Sequence, residues 1–332
     1  MENFESWTVA NEVIASIPFT FGYCPRESLV VTCCSVEPGV LRIGASARLD
    51  LGAAVGPGAA DSLAQVLAVL ARTNDDAAIA TVFTDREPGR WVRNVLEVLS
   101  EHWPFTFHGG CYVVSGEWIH GFSADGVSLG VEDALELATT TIAMSHPACE
   151  FVQSPEDYRF RRTVEGTTTA MIAADLGTPA DTVRASALFQ TELRRGGPTT
   201  TADTAILLRA LEDVAFRDGV LAWLLAGQPA DVEDFSAVDV EAALGTSSRP
   251  DSQLLERAYG ALSRIARFAP TGRAAAPLAL AAYLAWYAGD GTRARILSEQ
   301  AIGEDPDYAL TRLVARALAH ACPPPWFGTD AA

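Results

Sequence analysis

This 332-residue sequence lacks the short signatures that announce a chemistry. It has no GxxxxGK[ST], and no GxGxxG follows a candidate strand, so no phosphate-cradling loop is legible. Six cysteines occur, Cys24, Cys33, Cys34, Cys111, Cys149 and Cys322, and none stands in a CxxC pair. That argues against a zinc ribbon, a redox motif or a disulfide framework and for reduced, buried thiols. No apolar run reaches the roughly 20 residues that a membrane helix needs. The longest, Ala274 to Ala288, is short and Ala-rich. The start, MENFESWTVANEV, lacks a basic segment followed by an apolar one, so the expectation is a cytoplasmic protein without a secretory signal. Positive charge is scarce: 24 Lys and Arg stand against 42 Asp and Glu, a net charge of −18. Such a field repels nucleic-acid phosphates and anionic membrane surfaces, and its plainest reading is solubility.

What is there suffices for a folded protein. Hydrophobic residues make up 49% and charged residues 20%, enough to bury a core, and the length suits two domains. Val9, Val13, Ile14 and Ile17 are spaced for a short amphipathic helix over Trp7–Ile17, expected to end where Ile17 precedes a proline. Ser28–Val36 and Val40–Leu49 read as strands joined at Glu37-Pro38-Gly39 into an antiparallel hairpin. A helix capped by Asp61 follows, through about Arg72, then a strand over Ala77–Thr84 and a helix over Gly89–Glu101. A strand pair, Phe105–Ser115 and Glu117–Phe122, and a helix over Val131–Met144 complete residues 1–150. The expected fold there is α/β or α+β with a mixed sheet. Proline and charge break the pattern between Pro147 and Thr168, which marks a domain boundary. Residues 165–325 read as all-α, with helices over Thr168–Leu176, Ala180–Arg194, Thr201–Leu225, Val238–Leu244, Gln253–Phe268, Pro277–Ala288, Thr292–Ile302 and Tyr308–His320.

Within 277–320, Gly289, Ala294, Ala301 and Pro306 hold the spacing of a tetratricopeptide-like hairpin, with small residues where two helices approach. A wider set can be quoted: Pro18, Gly22, Pro25 and Ser28-Leu29-Val30; Arg48-Leu49-Asp50; Arg217-Asp218; Trp286 and Gly289-Asp290-Gly291; Asp305-Pro306 with Tyr308; and Pro324. In these residues the chain resembles the actinobacterial domain-of-unknown-function family 4192 over most of its length. The resemblance implies fold continuity and a cytoplasmic actinobacterial protein, and it implies no activity.

One edge gathers polar residues. In an antiparallel hairpin the start of the first strand meets the end of the second. A right-handed crossover brings the end of the third strand to the same edge. Arg26, Glu27, Ser28, Arg48, Asp50, Asp85 and Arg86 are therefore expected together, as a ligand site at strand ends or as a ring of caps and salt bridges. No histidine is assigned to that edge, which argues against a triad on Ser28. His102, His108, Cys111 and His120 match no standard zinc spacing, and an aromatic strand is the simpler reading. Arg217-Asp218 reads as a buried structural ion pair. No metal or cofactor is implied. The sequence thus points to a protein-interaction or scaffold protein, with partner unidentified and a homo-oligomer left open. The alternative is a small-molecule-binding or hydrolytic enzyme at the strand edge. Acidic mimicry of nucleic acid rests on charge alone.

Overall fold

A computed structural model of the chain describes residues 7–37, 40–56, 58–73, 75–105, 107–141, 143, 155–163, 166–176, 181–195, 200–227, 231–240 and 250–327. The chain divides between residues 154 and 155 into two compact units.

The first unit is built on a mixed six-stranded sheet in the order β2-β1-β3-β4-β5-β6. Helix α1 (Trp7–Phe21) precedes β1 (Ser28–Glu37) and β2 (Val40–Asp50), followed by α2 (Leu51–Val55), α3 (Ala59–Leu70) and β3 (Ala77–Phe83). Then come α4 (Arg90–His102), β4 (Phe107–Val114), β5 (Trp118–Phe122), β6 (Ser128–Asp133) and a 3₁₀ turn, Ala134–Thr139. β1 pairs antiparallel with both β2 and β3, whereas β3 and β4 are parallel. Alternation along the strands divides the core. Leu29, Val31, Cys33, Ala78, Ala80, Val82, Cys111 and Val113 pack with α2, α3 and α4. Cys34, Ala77, Ile79, Tyr112, Val114 and Ile119 pack with α1. The adjacent thiols of Cys33 and Cys34 thus lie on opposite faces, both buried.

Three expectations for this unit are corrected. Helix α1 continues past Ile17 to Phe21 with Pro18 inside it. The missing proline donor costs one helical bond, but burial of Val13, Ile14 and Ile17 holds the helix. The chain leaves it through Gly22, at φ +74°. Asp61 lies in the first turn of α3, and Gly58 at φ +84° occupies the cap position. The helix expected over Val131–Met144 is β6 followed by a 3₁₀ turn capped by Asp133, whose side chain accepts from Leu135 N–H. β6 is an edge strand with Val131 exposed, so its pattern carries no inward-outward alternation to read.

The second unit is helical. Its elements are a 3₁₀ turn (Pro155–Tyr158), α5 (Thr167–Asp175), α6 (Thr182–Arg195), α7 (Thr201–Glu212), α8 (Val214–Leu225) and a 3₁₀ turn (Phe235–Ala237). They are followed by α9 (Ser252–Arg267), α10 (Ala275–Ala288), α11 (Gly291–Glu304) and α12 (Ala309–Ala319). The single helix expected over Thr201–Leu225 is two, because Asp213 leaves helical geometry and caps α8 by accepting from Phe216 N–H. The helix expected over Val238–Leu244 falls mostly outside the described residues. α10 is apolar and buried almost all round, as expected of a central helix. The segment 155–163 is stapled along the helices. Phe160 exchanges two hydrogen bonds with Gln300 (3.0 and 2.7 Å). Thr163 N–H donates to the Arg267 carbonyl (2.6 Å). Arg162 binds Glu304 and the Ala269 carbonyl, and the Arg293 guanidinium sits 4.4 Å from each of the Tyr158 and Tyr259 rings.

Candidate functional site

The strand register decides what meets at the polar edge. Ser28 stands opposite Asp50 on one side and Phe83 on the other, so the ends of β2 and β3 flank the start of β1. Arg48 Nε donates to Ser28 Oγ (2.7 Å), and Arg48 Nη2 pairs with Asp50 Oδ1 (2.6 Å). Ser28 Oγ in turn donates to the Arg26 carbonyl (2.6 Å). Glu27 is gripped twice: Thr84 Oγ1 donates to Oε1 (2.5 Å) and Arg86 Nη2 pairs with Oε2 (2.8 Å). Its carbonyl accepts from Leu51 N–H (2.7 Å) and so fixes the start of α2. The side chains therefore form two clusters, Ser28–Arg48–Asp50 and Glu27–Thr84–Arg86, joined by the backbone between Glu27 and Ser28. Arg26 joins through its carbonyl. No side-chain hydrogen bond or ion pair holds Asp85 or the Arg26 guanidinium among the described residues, and both are exposed.

Chemically the network is nearly closed. Two of its three carboxylates face an arginine, and Ser28 Oγ has an arginine N–H where a nucleophile would need a base. The feature left over is Glu27 itself, which holds φ +42°, a left-handed conformation that side chains rarely adopt. Pro25 and Arg26 turn the chain from α1 into the sheet, and Glu27 makes the final step before Ser28 opens β1.

Two surfaces were not legible beforehand. In the first unit a cleft of about 440 Å³ is lined by Trp7, Asn11, Glu12, Glu132, Asp133 and Glu136. Its carboxylates are engaged in the fold: Glu132 accepts from Asn11 Nδ2 (2.9 Å) and Glu12 from Thr141 N–H (2.6 Å). In the second unit a groove of about 510 Å³ runs between α11 and α12, lined by Ile302, Pro306, Ala309, Leu313 and Ala315 with Arg312 and Arg316. Leu313 is 57% exposed and Ile302 39%. The signal for it was the apolar residue left between two arginines on a short terminal helix.

Two of the zinc-type residues have other surroundings. Cys111 is buried, its thiol pushed up to about 12 by desolvation. The His120 ring stacks on Phe122 (4.4 Å) and meets Ser128 Oγ (2.9 Å). Among the described residues no group of three His, Cys, Asp or Glu is placed to hold a metal ion. No described helix is long and apolar enough to cross a membrane.

A family model described as a domain of unknown function (DUF4192) matches residues 11–325. The chain belongs to this family. No curated protein and no solved structure matches it. Several residues on which the DUF4192 resemblance rests prove to be joints of the helical unit. Gly289 takes φ +87° to end α10, and Asp290 caps α11 by accepting from Arg293 N–H (2.9 Å). Trp286 Nε1 donates to the Cys322 carbonyl (2.9 Å). Arg217 is buried, binds Asp218 Oδ1 through Nε and Nη2 (2.8 and 2.6 Å) and donates from Nη1 to Tyr308 Oη (3.1 Å). These contacts tie α8 to the start of α12, so the Arg-Asp pair acts on the fold.

Proposed function

We propose that this protein is a protein-interaction module whose helical unit receives a partner on the α11–α12 groove. The observation that carries the reading is Leu313, an apolar side chain 57% exposed in a groove shared with the exposed Ile302. Aliphatic side chains clustered in a groove with a basic rim mark a docking face. The tetratricopeptide-like reading of α10–α11 fits it: Ala294 and Ala301 are fully buried, as close helix approach demands. The buried free thiols of Cys33, Cys34 and Cys111 support a reducing, cytoplasmic setting. The test is a photo-crosslinking residue placed at position 313 in cells that make the protein, with the same residue at the exposed Val183 as control. Discrete products at 313 and none at 183 are expected. Equal patterns at both positions would end the reading.

The enzymatic or small-molecule reading of the polar edge keeps one observation in its favour, the strained backbone of Glu27 beside the exposed Asp85. Strain in a side-chain-bearing residue concentrates at sites where geometry matters. A metabolite that raises the melting temperature of the native protein but not that of Asp85→Ala would revive it.

A further inference from the structure

The groove on α11–α12 is basic in a protein that is acidic, and that contrast describes its occupant. We infer that the partner on this face is an acidic amphipathic helix of another protein, which sets aliphatic side chains into the groove and carboxylates on Arg312 and Arg316. The inference rests on the docking reading above and adds the partner's chemistry to it.

Charge is the first support. Asp and Glu outnumber Lys and Arg by 42 to 24, yet the described residues that line the groove include two arginines and no carboxylate. The carboxylates nearest in sequence are held by other groups. Glu304 binds Arg162 and accepts from Gly272 N–H (2.8 Å). Glu299 pairs with Arg295 (2.6 Å), and Asp305 accepts from Asp307 N–H (3.0 Å). Asp307 reaches Arg312 only at 3.6 Å, with both side chains mostly exposed, a contact that yields to a better one at little cost. Arg316 has no ion pair or side-chain hydrogen bond among the described residues. Its place in the last turn suits the helix dipole and uses none of its donors. The net charge of −18 disfavours an acidic partner at a distance. Salt screens exposed charges beyond about 8 Å, so the two guanidiniums decide at contact.

Spacing is the second. Arg312 and Arg316 stand one turn apart, about 6 Å along α12. Two carboxylates four residues apart on a partner helix repeat that interval, and the planar arginine fork takes each in two parallel bonds. Ala309, Arg312, Leu313 and Arg316 follow the i, i+3, i+4, i+7 pattern of one helix face. The apolar strip and the charges therefore address the same partner. From Ala309 to Arg316 the strip runs about 10 Å, or two helical turns, with Ile302 and Pro306 beside it. Leu310 and Val314 are the residues that α12 buries in its own unit, so Leu313 belongs to a second apolar face. A groove between helices suits another helix.

The test pans a displayed library of helical peptides of about 15 residues against the full chain. Enriched peptides are expected to carry Leu or Ile at helical spacing, flanked by Asp or Glu four residues apart. Leu313→Asp should weaken the tightest of them by roughly 30-fold or more. Arg312→Glu and Arg316→Glu should each weaken it by roughly 3–5-fold. Circular dichroism and melting temperature should stay unchanged in all three variants, because these side chains are largely exposed. Exchanging the peptide's two carboxylates for arginines should restore binding to the variant that carries both Arg312→Glu and Arg316→Glu. Enriched peptides that need Leu313 but are neutral or basic, or are indifferent to the arginine variants, overturn the acidic partner and keep the docking face. A library with no peptide that needs Leu313 overturns both. Cosedimentation with vesicles of equal parts zwitterionic and anionic phospholipid would in that case assign the face to a membrane.

Discussion

Gly219, in the middle of α8, gives the sharpest test of the helical unit. Helix propensity alone says that alanine there should stabilise by about 1 kcal/mol. The structure predicts the opposite. A Cβ at position 219 would collide with the Phe235 carbonyl oxygen and lie 2.8 Å from the carbonyl carbon. Both atoms are backbone, so no rotamer change relieves the contact. Phe235 cannot retreat cheaply either. It is fully buried, its ring lies 6.0, 5.5 and 5.3 Å from those of Phe189, Phe216 and Trp223, and its N–H donates to Ser186 Oγ (2.9 Å). Overpacking costs about 1–3 kcal/mol, and partial loss of Phe235 burial and of its hydrogen bond adds about 1–2 kcal/mol. Against the propensity gain, Gly219→Ala should lose about 1–4 kcal/mol, or roughly 2–16 °C in melting temperature for a unit of this size. Gly260 in α9 is the control. A Cβ there meets only the far end of the Arg264 side chain, 3.2 Å away, so Gly260→Ala should be neutral or stabilising. Urea unfolding followed by helical circular dichroism reads both. A Gly219→Ala protein as stable as the wild type would refute the packing of α8 against Phe235.

Other outcomes follow from the same physics. At pH 8 a thiol reagent should modify the exposed Cys24 and Cys322 well before Cys33, Cys34 and Cys111, and fast labelling of Cys33 and Cys34 in native protein would contradict the sheet. Burial raises all three buried thiols from 9.0 to about 12. The folded state therefore keeps protons that the unfolded state releases. Stability is full below pH 9 and falls between pH 9 and 12, by about 1.4 kcal/mol per thiol per pH unit, which denaturant titration at pH 8 and pH 10 measures. At the polar edge Arg48→Ala should cost about 1–3 kcal/mol, because it removes a donor from the buried Ser28. Asp50→Ala breaks an exposed pair and should cost less than about 1 kcal/mol; a reversed order would show that Asp50 matters beyond its pair. Gln300→Ala strips both backbone groups of Phe160 of their partners and should cost about 2 kcal/mol.

How much of this was legible in sequence depends on how local each signal is. The β1–β2 hairpin and β3 were readable, because alternation and a turn signal act over a few residues. The meeting of Glu27, Ser28, Arg48, Asp50 and Arg86 followed from chain direction alone. The path of α1 through Pro18 was not readable, since its stability comes from burial against strands far along the chain. β6 was missed because an exposed edge strand needs no inward face. The break at Asp213 was hidden by continuous apolar spacing on both sides of it. The backbone of Glu27 was out of reach too: a left-handed glutamate is chosen by what surrounds it, through Thr84 and Arg86.

That contrast bears on the choice between the two functional readings. The residues that stood out in the sequence were charged, aromatic or glycine, and the structure uses most of them on itself. Arg48 answers Asp50, Arg86 answers Glu27, Arg217 answers Asp218 and Tyr308, and Gly289 with Asp290 turns one helix into the next. A charge already paired must lose its partner before it can bind a ligand, and that loss subtracts from affinity. An exposed leucine has nothing to give up except water. Burying it against another apolar surface contributes about 1.5–3 kcal/mol without breaking a contact inside the molecule. The paired edge is therefore the poorer candidate for a binding surface, although it drew the eye first, and the groove around Leu313 is the better one.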